Sequence, residues 1–205
     1  MPITIPTDSL TSRAKVKSFL GITDSTSDAL IDELITYVTQ FIKNYCGRQF
    51  LVADYVEIKD TYRGRRVLFL KQYPVNTVAS VEYRAGTPTS PVWNTYDANS
   101  YLPYFEEGYI KFYAKLPETM QGMRVNYNAG YLIDFTNEFD VAHHTLPEDI
   151  TLVATEMCAT ILNTRKSAGI STETTEGQSI TYGAKDLSIN AKTVLANYQR
   201  NNAAR

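Results

Sequence analysis

The sequence predicts an α+β protein, a small helical bundle interrupted by an inserted antiparallel β-sheet or barrel-like unit. Three observations predict it. Leu30, Ile31, Leu34, Ile35, Val38, Phe41, Ile42 and Tyr45 fall at steps of three and four and build one wide helical stripe. From Phe50 to about residue 145 this spacing gives way to short alternating runs between turn-forming clusters, the texture of antiparallel strands. Helical spacing then returns at Ile150, Val153, Ala154, Met157, Cys158, Ile161 and Leu162, so the bundle is split in sequence by the sheet.

The first helix starts at Thr11 or Ser12, either of which can accept a backbone N–H, and stops at Gly21, which supplies a left-handed residue. It is too short to be stable alone. Residues 22–26 connect it to the second helix, which Ser27 or Asp28 caps and Gly47 ends, making a helical hairpin in which Phe19 and Leu20 are expected to cover part of the longer stripe. Strands are expected over residues 55–60, 66–70, 78–84, 109–113 and 123–128. Arg63-Gly64, Tyr73-Pro74, Gly86-Thr87-Pro88 with Ser90-Pro91, Glu107-Gly108 and Gln121-Gly122 supply the breaks between them. Seventeen of the 24 aromatic residues lie within residues 51–146, as suits a pleated core and, for outward tyrosines, a partner contact.

Leu146-Pro147-Glu148-Asp149 opens the third helix, with Pro in its first turn and two acids beside its N-terminus, and Gly169 can end it. Beyond it lie a Ser-, Thr- and Gly-rich stretch, a strand-like run at residues 178–183, and a last helix capped by Ser188 with Ala191, Val194, Leu195 and Tyr198 on one face. This piece buries too little to fold alone. The domain organisation expected is therefore a helical core of residues 1–50 and 147–168, an inserted β domain of residues 51–146, and a C-terminal arm with a short helix over residues 169–205.

The 205 residues are 43% apolar and 20% charged, a balance suited to one globular domain carrying an insertion. No run approaches the roughly 18 apolar residues of a membrane helix, and residues 1–6 lack the features of a secretion signal, so membrane association and export by that route are not expected. Cys46 and Cys158 sit on apolar helix faces without metal-ligand spacing and read as core residues. The net charge of −2 argues against a nucleic-acid coat, yet residues 165–205 carry six Lys or Arg against three acids, a basic arm suited to an anionic partner. Enzyme chemistry has little to stand on. His143-His144 lacks the i,i+4 spacing of a helical zinc pair, Glu106-Glu107 reads as a solvated turn, and there is no GxSxG, P-loop, dinucleotide fingerprint or HExxH. No catalytic, cofactor-binding or metal-binding residue is therefore assigned. Arg63, Arg65 and Arg66 form the densest basic run, a charged hairpin tip that guards a sheet edge or a candidate contact for DNA or a partner.

The hairpin opening Val16-Lys17-Ser18-Phe19-Leu20-Gly21-Ile22-Thr23-Asp24, the run Asp28-Ala29-Leu30-Ile31 and the ending Ile42-Lys43-Asn44-Tyr45-Cys46-Gly47-Arg48-Gln49-Phe50 carry a family resemblance. So, in order, do Leu146-Pro147-Glu148-Asp149-Ile150, Glu176-Gly177-Gln178-Ser179-Ile180-Thr181-Tyr182 and Leu195-Ala196-Asn197-Tyr198-Gln199-Arg200. Covering about half the chain, this pattern resembles the head-to-tail connector, or adaptor, proteins of tailed bacteriophages. The smallest members join the second and third helices by a short connection, whereas here about 95 residues intervene, as in the larger type with a β insertion.

The resemblance implies a structural virion protein of the neck at the capsid vertex, made in the host cytoplasm. It implies a homo-oligomeric ring, commonly of about twelve copies, that sits under the portal protein and docks a stopper or tail-completion protein while DNA passes non-specifically through its channel. It further implies that the helical core packs side by side in the ring, and that the arm touches the portal or a neighbouring subunit through Gln178, Ile180, Tyr182, Leu195, Tyr198 and Arg200. Two other readings compete with it: an aromatic-rich β module binding a protein or carbohydrate, and a hydrolase using His143 or Glu106.

Overall fold

A computed structural model describes residues 5–87, 89–166, 172–175, 178–181 and 188–199. The chain divides into two compact units, Met1–Gly47 with Ile133–Arg205, and Arg48–Leu132.

The first unit is helical, with α1 (Arg13–Leu20), α2 (Asp28–Cys46), α3 (Glu148–Lys166) and α4 (Ile189–Tyr198). The Ser12 hydroxyl accepts the Lys15 amide at 3.3 Å to start α1. Gly21 and Gly47, at φ of 66° and 67°, end α1 and α2 in the left-handed conformation that glycine adopts without steric cost. Along α2 the stripe turns Ile31, Ile35, Val38 and Ile42 fully inward, and α3 answers with Ile150, Val153, Ala154, Cys158 and Leu162. Each large side chain so buried contributes about 1.5–3 kcal/mol. Cys46 and Cys158 lie in this core, and burial pushes the Cys158 thiol up to about 12.

In α1 it is Val16, preceded by Leu10, that faces the core, while Phe19 is 53% exposed along α3 and only Leu20 is half-buried. The expectation that Phe19 covers the α2 stripe is therefore corrected. An eight-residue helix has one narrow inward face, and Val16 occupies it. Charge fastens the same helix on two sides. Arg13 grips Asp32, which is 3% exposed, and Lys17 reaches Asp28 at 2.8 Å. Lys15 turns the other way, to Glu138 at 2.9 Å and Glu148 at 3.4 Å.

The second unit holds β1 (Ala53–Thr61), β2 (Val67–Phe69), β3 (Val75–Arg84), β4 (Trp93–Thr95), β5 (Tyr101–Tyr104), β6 (Tyr109–Phe112) and β7 (Thr119–Ala129). They form two antiparallel sheets, ordered β1-β7-β3-β4 and β2-β6-β5. Strict alternation along β7 sends Met123, Val125, Tyr127 and Ala129 inward and leaves Arg124, Asn126 and Asn128 half-exposed. These inward residues join Leu68, Val81, Ile110 and Phe112 in one core.

All five expected strands are present, with β4 and β5 in addition. The first of these is only three residues long, and the second contains Pro103, which an edge position in its sheet tolerates. Gln121-Gly122 is not a turn between strands but an irregularity within β7. Gln121 has φ 47°, its amide is held by the Asp60 carboxylate at 2.7 Å, and the β1–β7 register shifts beside it.

The two ends of this unit are paired with each other. Ala53 faces Ala129, the Val52 amide donates to the Tyr131 carbonyl at 2.9 Å, and the Tyr131 amide donates to the Phe50 carbonyl at 2.7 Å. Nearby, the buried guanidinium of Arg48 lies 3.6 Å from the Tyr73 ring centre and 5.0 Å from that of Phe50. Its terminal nitrogens have no hydrogen-bond partner among the described residues, so ring faces stand in for an anion.

A short antiparallel pair, β8 (Thr172–Thr175) and β9 (Gln178–Thr181), lies between α3 and α4 in the sequence. Of these β9 falls in the expected strand-like run, while β8 lies in the Ser-, Thr- and Gly-rich stretch, where no strand is expected. No helix among the described residues is long and apolar enough to cross a membrane.

Replacing Arg13 with Met strands the Asp32 carboxylate in the helical core. Urea unfolding of that variant is expected to show a loss of about 1–3 kcal/mol, the cost of an unsatisfied buried polar group, with α-helix content unchanged by circular dichroism.

Candidate functional site

One ring nitrogen of each histidine is engaged in local structure. The His144 ring is 5% exposed, accepts the Asp134 amide on Nδ1 at 3.1 Å and packs on Phe135 with ring centres 5.0 Å apart. His143 Nδ1 lies 2.7 Å from the Asp140 carboxylate on the surface. Glu106 is exposed in the β5–β6 turn, remote in sequence from either histidine. Among the described residues there is no group of three or more His, Cys, Asp or Glu that could hold a metal ion.

What the helical unit does build is a stiff, outward-facing loop. The Asp134 carboxylate accepts the Thr136 amide and the Asn137 side-chain amide, each at 2.8 Å. Asp140 likewise accepts the Ala142 amide at 2.9 Å, and Glu138 reaches Lys15 on α1. The Asn137 and Thr136 donors hold the Asp134 carboxyl well below the ordinary carboxylate range, at about 2. On this frame Phe139 and Val141 stand 95% and 81% exposed. Large apolar side chains so exposed, on a loop tied down at several points, make it a candidate contact surface. The signal in the sequence was an apolar residue on either side of Asp140 within a polar turn, and it was not read.

Between α1 and α3 lies an open groove. Phe19 and Leu152, 53% and 51% exposed, line it together with Lys15, Glu148 and the buried Thr151, whose hydroxyl is unpartnered among the described residues.

The arm residues named from the sequence separate into groups. Leu195 is fully buried, its carbonyl 3.8 Å from Cys46 Sγ. The Tyr198 hydroxyl bonds both Asp149 oxygens at 2.8 and 3.0 Å, and Gln199 donates to the Tyr45 carbonyl at 2.9 Å. These residues anchor α4 on the chain's own α2 and α3. Gln178 and Ile180 stand on β9 opposite Thr175 and Glu173, while Tyr182 and Arg200 lie outside the described residues. In the β unit, Arg63, Arg65 and Arg66 are all exposed at the β1–β2 turn. Much of that unit's aromatic density serves packing, with Tyr83 on Tyr96, Tyr96 on Phe112 and Tyr101 on Phe112 at ring-centre distances of 4.9, 5.5 and 5.9 Å.

Residues 9–201 match the family model of the head completion protein, so the match runs through both helical segments, the β unit and the arm. The chain belongs to the head completion protein family. This is a structural, head-to-tail connector family. No curated protein sequence matches the chain.

Among solved structures, the neck of an empty GTA particle computed with C6 symmetry contains a chain with TM-score 0.58 at 13% identity, covering 96% of this chain and 92% of that one. The virion of a native gene transfer agent particle gives TM-score 0.58 at 14% identity with the same coverage. The neck of a native GTA particle computed with C12 symmetry gives 0.54 at 15% identity, covering 96% and 91%. These likenesses establish a shared fold over nearly the whole chain.

For this head completion protein the loop around Asp134 makes a pH prediction. Because its carboxyl is depressed in the folded loop, the stabilisation it gives is complete above the ordinary aspartate value and is lost as pH falls through about 2. The side-chain carboxyl carbon of Asp134, followed by NMR, should titrate with a midpoint near that value. Asn137→Ala should move the midpoint up toward the ordinary range, whereas an unmoved midpoint would show that the Asn137 bond is not what holds it down.

Proposed function

We propose that this protein is a head-to-tail connector which assembles as a ring of twelve copies, a number compatible with a neck computed with C12 symmetry, beneath a portal protein. There it docks a stopper or tail-completion protein, with DNA passing through the central channel. The observation that carries the reading is the family match over residues 9–201, continuous through core, insertion and arm. Physical support comes from the helical unit. A lone copy leaves Phe139, Val141, Phe19 and Leu152 in water, and side-by-side packing in a ring gives such residues a partner. Modest contacts repeated around a closed ring sum to a durable assembly.

In this reading the arm's outward contact with the portal or a neighbour belongs to the segment containing Gln178, Ile180 and Tyr182, together with Arg200. Leu195 and Tyr198 act behind it as the anchor. That division decides which deletion is informative. Removing everything from residue 171 onward would also strip Leu195 from the helical core, so loss of attachment would then be ambiguous.

Mass spectrometry of purified particles should detect the protein among the neck components, and cryo-EM of that neck should show twelvefold averaging to sharpen its density. Absence from particles that carry portal and tail would refute the connector role. Exchanging residues 172–181 for a Gly-Ser linker of equal length should leave thermal unfolding nearly unchanged while abolishing co-purification with the portal protein, and retained co-purification would refute the role given to the arm.

A further inference from the structure

We propose that two loops of the β unit, residues 62–66 and 111–118, form a contact surface for the phosphate backbone of a nucleic acid. Three main-chain hydrogen bonds zip these loops together although they lie some 50 residues apart in the sequence: Gly64 N–H to the Leu116 carbonyl at 3.4 Å, Leu116 N–H to Arg65 at 2.8 Å, and Phe112 N–H to Arg66 at 2.7 Å. The zipping sets Lys111 and Lys115 beside the tip that carries Arg63, Arg65 and Arg66. All five cations are exposed. Among the described residues Lys59 pairs with Glu57 and Arg124 with Glu82, whereas Arg63, Arg66, Lys111 and Lys115 have no carboxylate partner. Two acids are near in sequence. Asp60 is engaged by the Gln121 amide, and Glu118 is exposed at the far end of the second loop.

The composition of the surface selects its partner. Protein interfaces are depleted in lysine and built around buried apolar anchors, but the exposed large side chains of these loops are five cations, one acid, Glu118, at the far end, and two tyrosines, Tyr62 and Tyr113, at 54% and 64% exposure. Arg65 lies over the Tyr62 ring, 5.5 Å from its centre. Fixed backbone, lysine point charges and arginine forks without an aliphatic anchor suit a repeating polyanion that is read by charge alone. The surface carries no base-reading geometry, so binding is independent of sequence. Its identity as a phosphate contact rests on the loops. That the polymer is the packaged genome rests on the connector reading above.

The test uses the full chain and a fluorescently labelled DNA duplex of about 30 base pairs, with anisotropy read between about 50 and 200 mM NaCl. With four unpaired cations engaged, log affinity should fall with log salt at a slope of about −3.6, a loss of roughly 150-fold across that range. The variant Arg63→Ser, Arg66→Ser, Lys111→Gln, Lys115→Gln should bind at least tenfold more weakly at low salt and lose most of the slope. Arg63→Lys with Arg66→Lys, which keeps the charges, should retain both. The proposal is overturned if the folded chain does not bind, if the neutralised variant binds as the parent does, or if polyglutamate of matched charge competes more strongly than DNA, which would assign the loops to an acidic protein partner. Failure here with the protein present in particle necks removes the phosphate surface and leaves the connector role. Absence from necks with DNA binding intact does the reverse.

Discussion

An insertion can interrupt a packed helical core only if its own two ends meet, and the pairing of residues 50–53 with residues 129–131 satisfies that condition. Closing an unstructured connection of this length carries an entropic penalty that grows with the logarithm of its length. A folded sheet replaces that penalty with a fixed separation between neighbouring strands, roughly 5 Å. The chain can thus leave the helical unit after Gly47 and return at Ile133 without loosening the contact between α2 and α3. The apolar stripes of those two helices were designed by spacing to meet, and the paired strand ends let them.

Within the helical unit the weakest element is secured by charge as well as by apolar contact. Eight residues cannot sustain α1 by their own hydrogen bonds. Val16 supplies its one deep apolar contact, while Arg13 and Lys17 tie it to α2 and Lys15 ties it to α3 and to the loop bearing Phe139. A short helix with three cations pointing two ways acts as a clasp between segments distant in sequence. Because Lys15 also lines the groove beside Phe19, the same clasp borders the exposed apolar surface of this unit.

Local periodicity revealed most of the secondary structure, because side chains repeat every 3.6 residues on α2 and α3 and every two on β1 and β7. It failed where an element has too few residues for a period. β4 spans three residues and β5 contains Pro103, so neither stands out from its surroundings. It also failed for Phe19, since which of two apolar residues on a short helix turns inward is decided by the neighbours that arrive from residues 148–162. The contact surfaces divide in the same way. The run Arg63-Gly64-Arg65-Arg66 was plain in the sequence, but Lys111 and Lys115 join it only through strand pairing. Phe139 gives no periodic signal, because its exposure depends on the carboxylate bonds that hold the turn around it.

The docking of α4 changes what kind of object the arm is. Lys166 closes α3 and Ser188 opens α4, and both helices are seated in one core, so the intervening residues 167–187 are rooted at both ends. A free tail can search a sphere set by its whole contour and must surrender that freedom to bind. A segment rooted twice can extend no farther than about half its contour, on the order of 35 Å, and has less entropy to lose on docking. In the ring proposed above, such a segment would act as a finger of limited span, confined to sites within that reach of its own subunit.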